Sequence, residues 1–253
     1  MTSEVSPKDR FVTVYGRKPV LEALADYDLR VDKVIVAEGL RGPVIEEIKE
    51  AAADRAVKVQ RASAHRVKVL AGNGRHDQGV AADVVARKMR PLADALADRA
   101  NAPRNVLLLD GLTTPANVGM ILRTATASGI DGIVVPHRGV AAIDPLVIKA
   151  SAGVAFHAPV LRSHTAGEAA ELLTEAGYPL YALEAGAPEN IYQTDFGSRA
   201  VFVLGSETAG LSEEVQERIA QPLSIPMSGG VESLNVASAA AVLCFEIRRR
   251  FLS

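Results

Sequence analysis

The sequence of 253 residues is 48% hydrophobic and 23% charged with a formal net charge of −2, which predicts one large globular domain or two ordinary ones. No apolar run approaches the roughly 20 residues that span a bilayer, and the polar N-terminus has no signal-peptide pattern, so we expect no membrane association. A single cysteine, Cys244, excludes an internal disulfide and fits a reducing compartment, so we expect a cytoplasmic protein.

The two parts of the chain differ in charge. Residues 1–90 hold 17 Lys and Arg against 13 Asp and Glu, whereas residues 91–253 hold 11 against 17. Charge alone fits two interpretations equally well: ordinary surface variation, or a first domain that captures phosphate and a second that performs chemistry. The aromatic content of 4%, without any Trp, argues against a broad base-stacking platform.

The first part of the chain predicts a small domain. Residues 1–10 are polar and are expected to be a disordered tail, and residues 11–87 alternate between short strands and helices, as in a three-layer α/β domain. The predicted elements are helices at Pro19–Ala25 and Val44–Ala53 and strands at Lys33–Val36, Val57–Val59 and Gly79–Val85. Residues 88–104 are charged and contain Pro91 and Pro103, so we predict an interdomain linker with one or two helical turns.

Residues 105–253 predict a second α/β domain. Strands fit Val106–Leu109, Gly132–Val135, Leu180–Leu183, Val201–Leu204 and Leu223–Ile225. Helices fit Ala116–Ser128, Gly167–Ala176, Ser212–Ile219 and Leu234–Arg249. Because the strands are continuously apolar and alternate with helices, we expect a parallel sheet covered on both faces. This pattern by itself is typical of a Rossmann-like sheet.

The first segment whose residues could take part in catalysis follows the strand that ends at Leu109. Thr114 is the predicted N-cap of a helix that begins at Pro115. Asn117 lies in the first turn of this helix, at the edge of the sheet where active-site groups of α/β proteins collect. Arg123 lies six residues later on another face of the helix. Alone it would more often be a surface arginine, but its apolar neighbours favour a position near an interface.

Two further glycine-containing loops follow predicted strands. The first contains Gly205, which would let a ligand approach the backbone closely, and Glu207, which could bind a cationic or hydroxyl-bearing group. It lacks the Lys-Ser/Thr of a phosphate-binding loop. The second loop leads into a helix for which Ser233 is the predicted cap. The small residues of that helix predict close backbone packing, while its start beside a glycine loop also suits a polar ligand.

These segments resemble the SpoU (TrmH) family of RNA 2′-O-methyltransferases, which belongs to the SPOUT class. The most specific match is Ile225-Pro-Met-Ser-Gly-Gly-Val-Glu-Ser-Leu-Asn-Val-Ala-Ser-Ala239. Gly205-Ser-Glu-Thr-Ala-Gly-Leu211 and Asn117-Val-Gly119 with Arg123 also fit in order and spacing. Thr114 departs from the family pattern, which commonly has Asp before the proline.

The first domain resembles the substrate-binding domain of ribosomal-RNA guanosine 2′-O-methyltransferases in this family, a domain similar to an RNA-binding ribosomal protein. The matching segments are Val14-Tyr-Gly-Arg-Lys-Pro-Val-Leu-Glu-Ala-Leu24 and His76-Asp-Gln-Gly-Val80, the latter with Asp77 inserted. The resemblance covers roughly residues 12–250. It implies a small N-terminal α/β RNA-binding domain and a C-terminal SPOUT domain in which a parallel sheet lies between helices and the chain forms a deep trefoil knot. The resemblance overrides the Rossmann-like interpretation. Local periodicity does not predict a knot, because topology rules disfavour knots.

The resemblance also implies a cofactor, a partner and site residues. It implies bent S-adenosylmethionine bound in the knot, and a homodimer with the active site near the subunit interface. The implied cofactor-binding residues are Leu183, Gly205, Ile225, Met227 and Leu234. The implied catalytic residues are Asn117, Arg123, Glu207, Ser233 and Asn235. The predicted RNA contacts are Arg17, Lys18 and Arg75, helped by His76.

Proposals for the family make the arginine that matches Arg123 the base. The guanidinium pKa lies above about 12, so we expect Arg123 to pair with a substrate phosphate while the proton passes to that phosphate or to water. No metal is implied, because a sulfonium is already a strong electrophile, and the five histidines show no metal-ligand spacing.

The resemblance of the first domain favours ribosomal RNA of the large subunit as the substrate. Two alternatives stay open: a transfer-RNA 2′-O-methyltransferase, and an inactive RNA-binding or ribosome-assembly factor. The sequence has no Gly-x-Ser-x-Gly elbow, which argues against a hydrolase, and no Gly-x-Gly-x-x-Gly turn after the first strand, which argues against a nicotinamide-dependent enzyme.

Overall fold

The structure, a computed structural model, describes residues 9–71 and 77–252, with side chains up to residue 250. The first sheet has four strands in the order β1-β4-β2-β3, in which β4 is antiparallel to both neighbours and β2 is parallel to β3. Its strands are β1 Phe11–Tyr15, β2 Val31–Ala37, β3 Lys58–Ala62 and β4 Val80–Val85. Its helices are α1 Arg17–Ala25, α2 Pro43–Asp54 and α3 Ala64–Ala71.

The predicted three-layer arrangement of the first domain is confirmed. Successive residues of a strand point to opposite faces of the sheet, and β2 places Val34 and Val36 against α1 and α2. Ile35 packs on the other face with Val67 of α3. Strand β1 and helix α3 were not predicted, since each is short and α3 buries only two of its residues.

The inserted Asp77 has a structural role at the start of β4. Its carboxylate is buried and accepts a hydrogen bond of 2.7 Å from the Gly79 N–H. The turn so formed contains Gln78 at a positive φ of 48°, an uncommon conformation for a side-chain-bearing residue. The insertion is therefore accommodated by a local turn, and β4 keeps its pairing with both neighbours.

The second sheet has seven parallel strands in the order β11-β9-β10-β6-β7-β8-β5. They are β5 Arg90–Pro91, β6 Asn105–Leu109, β7 Gly132–Val134, β8 Val160–Arg162, β9 Leu180–Leu183, β10 Ala200–Leu204 and β11 Ile219–Leu223. The helices are α4 Leu92–Ala97, α5 Pro115–Ser128, α6 Pro145–Ala150, α7 Ala166–Glu175, α8 Glu213–Gln216 and α9 Val236–Leu252.

Both faces of the second sheet are covered, as predicted. On β10, Phe202 belongs to the core shared with α5 and α9, whereas Val201 and Val203 belong to the core shared with α4, α7 and α8. Helices α5 and α9 pack on each other, and Cys244 of α9 is fully buried there. Burial raises the pKa of this thiol to about 12.

The Rossmann-like interpretation of the local pattern is wrong in its strand order. Counted from β6, the observed order is 6-4-5-1-2-3, whereas a Rossmann sheet has 6-5-4-1-2-3. Strand β10 therefore lies between β6 and β9. Exchanging two parallel strands leaves the apolar pattern of each unchanged, so the pattern could not distinguish the two orders. The fold is the expected combination of a small sheet domain and a parallel-sheet domain, and the trefoil knot stays a prediction.

Several boundaries differ from the predicted ones. Residues 88–104 contain the predicted short helix, α4, but also β5, which pairs with β8 and extends the second sheet. The last strand was predicted at Leu223–Ile225 and instead ends at Leu223; it is an edge strand, where Pro222 is tolerated. The helix predicted at Ser212–Ile219 is only the four-residue α8. Strand β8 and helix α6 were not predicted.

The two domains contact each other near the carboxyl edge of the second sheet. The Tyr15 hydroxyl donates a hydrogen bond of 3.0 Å to Asp144, whose carboxylate also caps α6 by accepting from the Leu146 and Val147 N–H groups. Burial, together with the charge of Asp144, raises the pKa of Tyr15 to about 12. Within residues 9–71 and 77–252, no helix has the length and apolar character needed to cross a membrane.

Candidate active site

Three predicted catalytic residues meet at the carboxyl edge of the second sheet. Asn117 is in the first turn of α5, Glu207 is in the loop after β10, and Asn235 immediately precedes α9. The Asn235 amide nitrogen lies 3.1 Å from the Asn117 amide oxygen and 2.9 Å from Glu207 Oε1, donating to both. Chain segments 28 and 118 residues apart from Asn235 therefore share one polar network.

The same network forms the start of α9. Glu207 Oε1 accepts a hydrogen bond of 3.0 Å from the Val236 N–H, and the Asn235 side-chain oxygen accepts one of 3.0 Å from the Ala237 N–H. Asn235 is therefore the capping residue of α9. The prediction that Ser233 caps this helix is wrong, because the helix begins at Val236; Ser233 lies exposed in the preceding loop.

A buried carboxylate that sequence reasoning did not assign holds the loop that carries Glu207. Asp110 Oδ2, at the end of β6, accepts hydrogen bonds from the Ser212 N–H at 2.6 Å and from the Ser212 hydroxyl at 2.9 Å. Between these anchors, Ser206 and Gly210 exchange two main-chain hydrogen bonds. The one available signal was an acidic residue directly after a continuously apolar strand.

Gly205 is required by the loop itself. A Cβ atom at this position would stand 2.8 Å from Leu211 Cδ2 and 3.0 Å from the main chain of Gly210. Since real Cβ atoms hardly ever come so close to a backbone, the loop can fold back on β10 only with glycine here. Contact between the main chain of Gly205 and a cofactor stays a prediction.

A cavity of about 110 Å³ lies beside this network, between the ends of β9 and β11 and the start of α9. Four of the five predicted cofactor-binding residues line it: Leu183, Ile225, Met227 and Leu234. The other lining residues are Glu184, Ala185, Leu223, Glu232, Ser233 and Ala239.

The lining of this cavity fits a molecule with an apolar-faced ring and a cationic group, because aliphatic walls stand beside the carboxylates of Glu184 and Glu232. The volume of the cavity is below the roughly 300 Å³ of small-molecule sites, and three of its lining residues, Met227, Glu232 and Ser233, belong to the exposed loop at residues 226–233. Among the residues that the structure describes, no cluster of three or more His, Cys, Asp or Glu could hold a metal ion.

Arg123 does not join the polar network. Its side chain is exposed, and in the described part of the chain it has neither a hydrogen-bond nor an ion-pair partner. Asn117 is only 8% exposed, so the two residues do lie on different faces of α5. Arg123 shares the outer face with Met120, which is 41% exposed. Ser233 also stays outside the network, although it lines the cavity.

The predicted RNA contacts differ in exposure. Lys18 is 87% exposed and lies 3.8 Å from Glu22, one turn further along α1. Arg17 is half-buried, and its main-chain N–H donates to the Gln78 side chain at 3.1 Å. Arg75 and His76 lie outside the described residues. Lys18 is thus accessible to a phosphate, whereas Arg17 also contributes to the local structure.

Comparison with known proteins assigns both domains. Residues 104–245 match the sequence profile of the SpoU rRNA Methylase family, and residues 13–90 match the profile described as RNA 2′-O ribose methyltransferase substrate binding. A protein of Staphylococcus saprophyticus that is assigned to the TrmH family of tRNA/rRNA methyltransferases is 32% identical over 241 residues, which is 94% of this chain and 96% of the relative.

Solved structures agree with these sequence matches. An RNA 2′-O ribose methyltransferase aligns with a TM-score of 0.59 and 25% identity, over 97% of this chain and 90% of that one. The SpoU methyltransferase AviRb of Streptomyces viridochromogenes, solved with the cofactor AdoMet, aligns with a TM-score of 0.61 and 25% identity, over 96% and 91%. The chain is therefore a member of the SpoU family of RNA 2′-O-ribose methyltransferases.

Proposed function

We propose that this protein transfers a methyl group from S-adenosylmethionine to a ribose 2′-hydroxyl of ribosomal RNA, acting in the cytoplasm as a homodimer. The observation that carries the proposal is the network of Asn117, Glu207 and Asn235 beside the cavity at Leu183 and Leu234. Two comparisons support it: the match of residues 13–90 to an RNA-substrate-binding profile, and the AdoMet complex of AviRb.

The cavity residues would hold the cofactor. Leu183, Ile225 and Leu234 provide apolar walls for its adenine, and the main chain of the surrounding loops provides donors and acceptors for its ribose. Bound S-adenosylmethionine would supply an electrophilic methyl group. The protein contributes the position of that group relative to the RNA, and alignment of reacting atoms is worth up to roughly 7–11 kcal/mol of a barrier.

The polar network leaves two atoms free to orient the ribose. Glu207 uses Oε1 for its hydrogen bonds, and within the described residues its Oε2 has no partner, so Oε2 can hold a water that accepts the proton of the reacting hydroxyl. Asn117 accepts through its amide oxygen, and within the described residues its amide nitrogen has no acceptor, so it is available as a donor. Because Asn235 binds both residues, it fixes the direction in which each of these atoms points.

Arg123 would hold the RNA rather than remove the proton. A guanidinium stays charged at neutral pH, so it is a poor base but a good partner for a substrate phosphate. Its exposed position without an ion-pair partner among the described residues suits that role. The proton would then pass to the phosphate or to water.

A second copy of the chain would pack against the exposed apolar side chains of α5 and α9 and leave Arg123 accessible at the edge of the interface. Met120 of α5 is 41% exposed and Phe245 of α9 is 53% exposed, on two helices that pack together. Large apolar side chains exposed on adjacent helices are typical of a subunit interface. Light scattering should give a dimer mass for the wild type and a monomer mass for Phe245→Lys; a wild-type monomer would contradict this part of the proposal.

The reaction is tested by transfer of labelled methyl from S-adenosylmethionine to separated ribosomal and transfer RNA, followed by nucleoside analysis. We expect a 2′-O-methylnucleoside from ribosomal RNA, lost in Arg123→Ala but kept in Arg199→Ala, a matched exposed arginine at the opposite edge of the sheet. Label in transfer RNA alone would favour the alternative substrate. Label on a base would contradict the reaction, and cofactor binding without transfer to any RNA would favour the inactive RNA-binding factor.

A further inference from the structure

A second cleft, of about 490 Å³, lies between the two domains. One wall comes from β1 and α3 of the first domain, with Phe11 and Leu70, and the other comes from the second domain, with Ile143. Arg66 and Arg162 contribute positive charge from the two sides. The cleft combines apolar walls with cations, and the predicted site residues are not among those that line it.

This cleft lies along the same edge of the second sheet as the reaction centre. The segment that includes Ile143 is tied to the loop before α5, because the Ala141 N–H donates a hydrogen bond of 2.8 Å to the Leu112 carbonyl. Arg162 ends β8, which is two strands from β6 in the same sheet. With neighbouring strands about 4.8 Å apart, the ends of β6 and β8 are about 10 Å apart along one edge.

The aromatic side chain in the cleft is accompanied by cations. On β1, Val12 and Val14 point into the core, so Phe11 points to the opposite face and is only half-buried. The Arg10 guanidinium carbon lies 5.6 Å from the centre of the Phe11 ring, and Lys33 Nζ lies 5.7 Å from it. A ring flanked by cations suits a partner that has both a flat base and a phosphate.

The charge in the cleft is positive after ion pairs are taken into account. Its lining carboxylate, Asp83, lies 3.0 Å from Lys33 and also accepts a hydrogen bond from Thr13. A second carboxylate, Asp9, lies 2.8 Å from His137 Nε2 and offsets part of the charge of Arg162. Arg66 is exposed, and in the part of the chain that the structure describes it has no ion-pair partner. The cleft therefore offers at least one free cation beside an accessible ring.

The buried wall of the cleft is preorganised by Arg162, which is only 9% exposed. Its Nη1 donates to the Val135 carbonyl at 2.6 Å and its Nη2 donates to His137 Nδ1 at 2.6 Å, while Nε is buried without a partner among the described residues. Burial lowers the pKa of this guanidinium to about 10, so it stays charged at neutral pH.

We propose that this cleft binds an unpaired nucleotide of the RNA substrate next to the methylated one, with its base stacked on Phe11 and its phosphate held by Arg10 and Arg66. The inference rests on the proposed function and deepens it. A base can reach Phe11 only if it is not paired in a helix, so the substrate would be a loop or single-stranded segment of ribosomal RNA.

The binding test uses fluorescence anisotropy with a labelled 12-nucleotide single-stranded RNA of mixed sequence and with the same strand annealed to its complement. We expect Phe11→Leu to weaken single-strand binding about tenfold, as loss of one stacked base does, and Phe11→Tyr to leave it within about twofold. Arg66→Gln should weaken binding, whereas Lys68→Gln, the same charge change on the same helix away from the cleft, should have a smaller effect. Duplex binding should not depend on Phe11.

Photocrosslinking of the same strand carrying 4-thiouridine, followed by peptide mapping, should label the segment that contains Phe11. Equal single-strand affinity of the wild type and Phe11→Leu would overturn the inference. The methyl-transfer assay keeps the two proposals apart. Wild-type transfer that Phe11→Leu does not impair overturns only the cleft, whereas Phe11-dependent binding without any transfer overturns only the reaction.

Discussion

The two ends of α9 are held in different ways. At its start, exposed side chains, Asn235 and Glu207, bind the first N–H groups of the helix and leave polar atoms free. Near its end, Glu246 is buried and binds Arg249 and Arg250, and Arg250 also donates to the main-chain carbonyls of the segment that contains Thr194.

The two ends of α9 therefore have different roles, one in activity and one in stability. At the start of the helix, the Glu207 and Asn117 side chains keep polar atoms without hydrogen-bond partners among the described residues, beside the space that substrate and cofactor would enter. The end uses its charged groups inside the protein, where Arg250 also lies 4.3 Å from the centre of the Phe196 ring. Substitutions at the start should therefore change activity more than stability, and substitutions at the end should do the reverse.

Glu207→Gln should have the largest effect, a fall in single-turnover methyl transfer of roughly 100-fold. A glutamine oxygen can still accept from Asn235 and the Val236 N–H, so the free energy of unfolding should fall by only about 0.3–1 kcal/mol, the contribution of an anion at a helix N-terminus. Glu213→Gln, an exposed acid on α8, is the matched control. Unchanged transfer in Glu207→Gln would show that the charge is not used.

Arg250→Ala should have the largest effect on stability. Removing one partner of the buried Glu246 and the donors to the Ile191 and Thr194 carbonyls should lower the free energy of unfolding by about 2–4 kcal/mol. Urea denaturation measures this, with the neighbouring exposed Arg248→Ala as the control. Methyl transfer per folded molecule should not change. A loss of transfer without a loss of stability would contradict the assignment of the end of α9 to stability.

Glu246→Gln should give a smaller loss that depends on pH. Hydrogen bonding to Arg249, followed by the bonds and charge of Arg250, lowers the pKa of Glu246 to about 2 despite its burial. A lowered pKa stabilises the fold above the unfolded-state value, and that contribution disappears as pH falls through the folded-state value. The difference between wild type and variant should be about 1–2 kcal/mol at pH 7 and should shrink from about pH 4.5 towards pH 2.

Unfolding midpoints in urea at pH 7, 4 and 3 would follow this change. A difference that stays constant across these values would mean that the Glu246 carboxylate is not preferentially stabilised in the folded protein.

The smallest effects distinguish the two candidate caps of α9. Asn235→Ala should lower the free energy of unfolding by about 1 kcal/mol, the usual cost of losing a cap, whereas Ser233→Ala should stay within about 0.5 kcal/mol. Thermal unfolding of both variants measures this. The opposite ranking would indicate that Ser233 is the N-cap and would contradict the observed start of the helix at Val236.

Sequence reasoning predicted most of the elements from local signals, and the resemblance to the SpoU family supplied Glu207 and Asn235 as site residues. Asn117, Glu207 and Asn235 each follow a strand or begin a helix, and the carboxyl ends of parallel strands share one edge. The order of β9 and β10 could not be predicted, because it depends on contacts between distant segments and changes no local pattern.

The sequence also did not predict which of two neighbouring residues caps α9, or the role of Asp110. Ser233 and Asn235 are equally good caps by residue type, and what favours Asn235 is the Glu207 carboxylate, which another strand brings to the Val236 N–H. Asp110 was not assigned because its partner, Ser212, is 102 residues away. In both cases a distant residue decides the role of a local one.

The burial of Cys244 has a practical consequence. It is the sole cysteine of the chain, it is fully buried between α9 and α5, and burial holds its thiol protonated well beyond neutral pH. Thiol reagents react with the thiolate, so this side chain can be modified only in molecules in which α9 has separated from α5. The rate at which a thiol reagent modifies Cys244 would therefore report how often α9, at whose start the reaction centre lies, separates from α5.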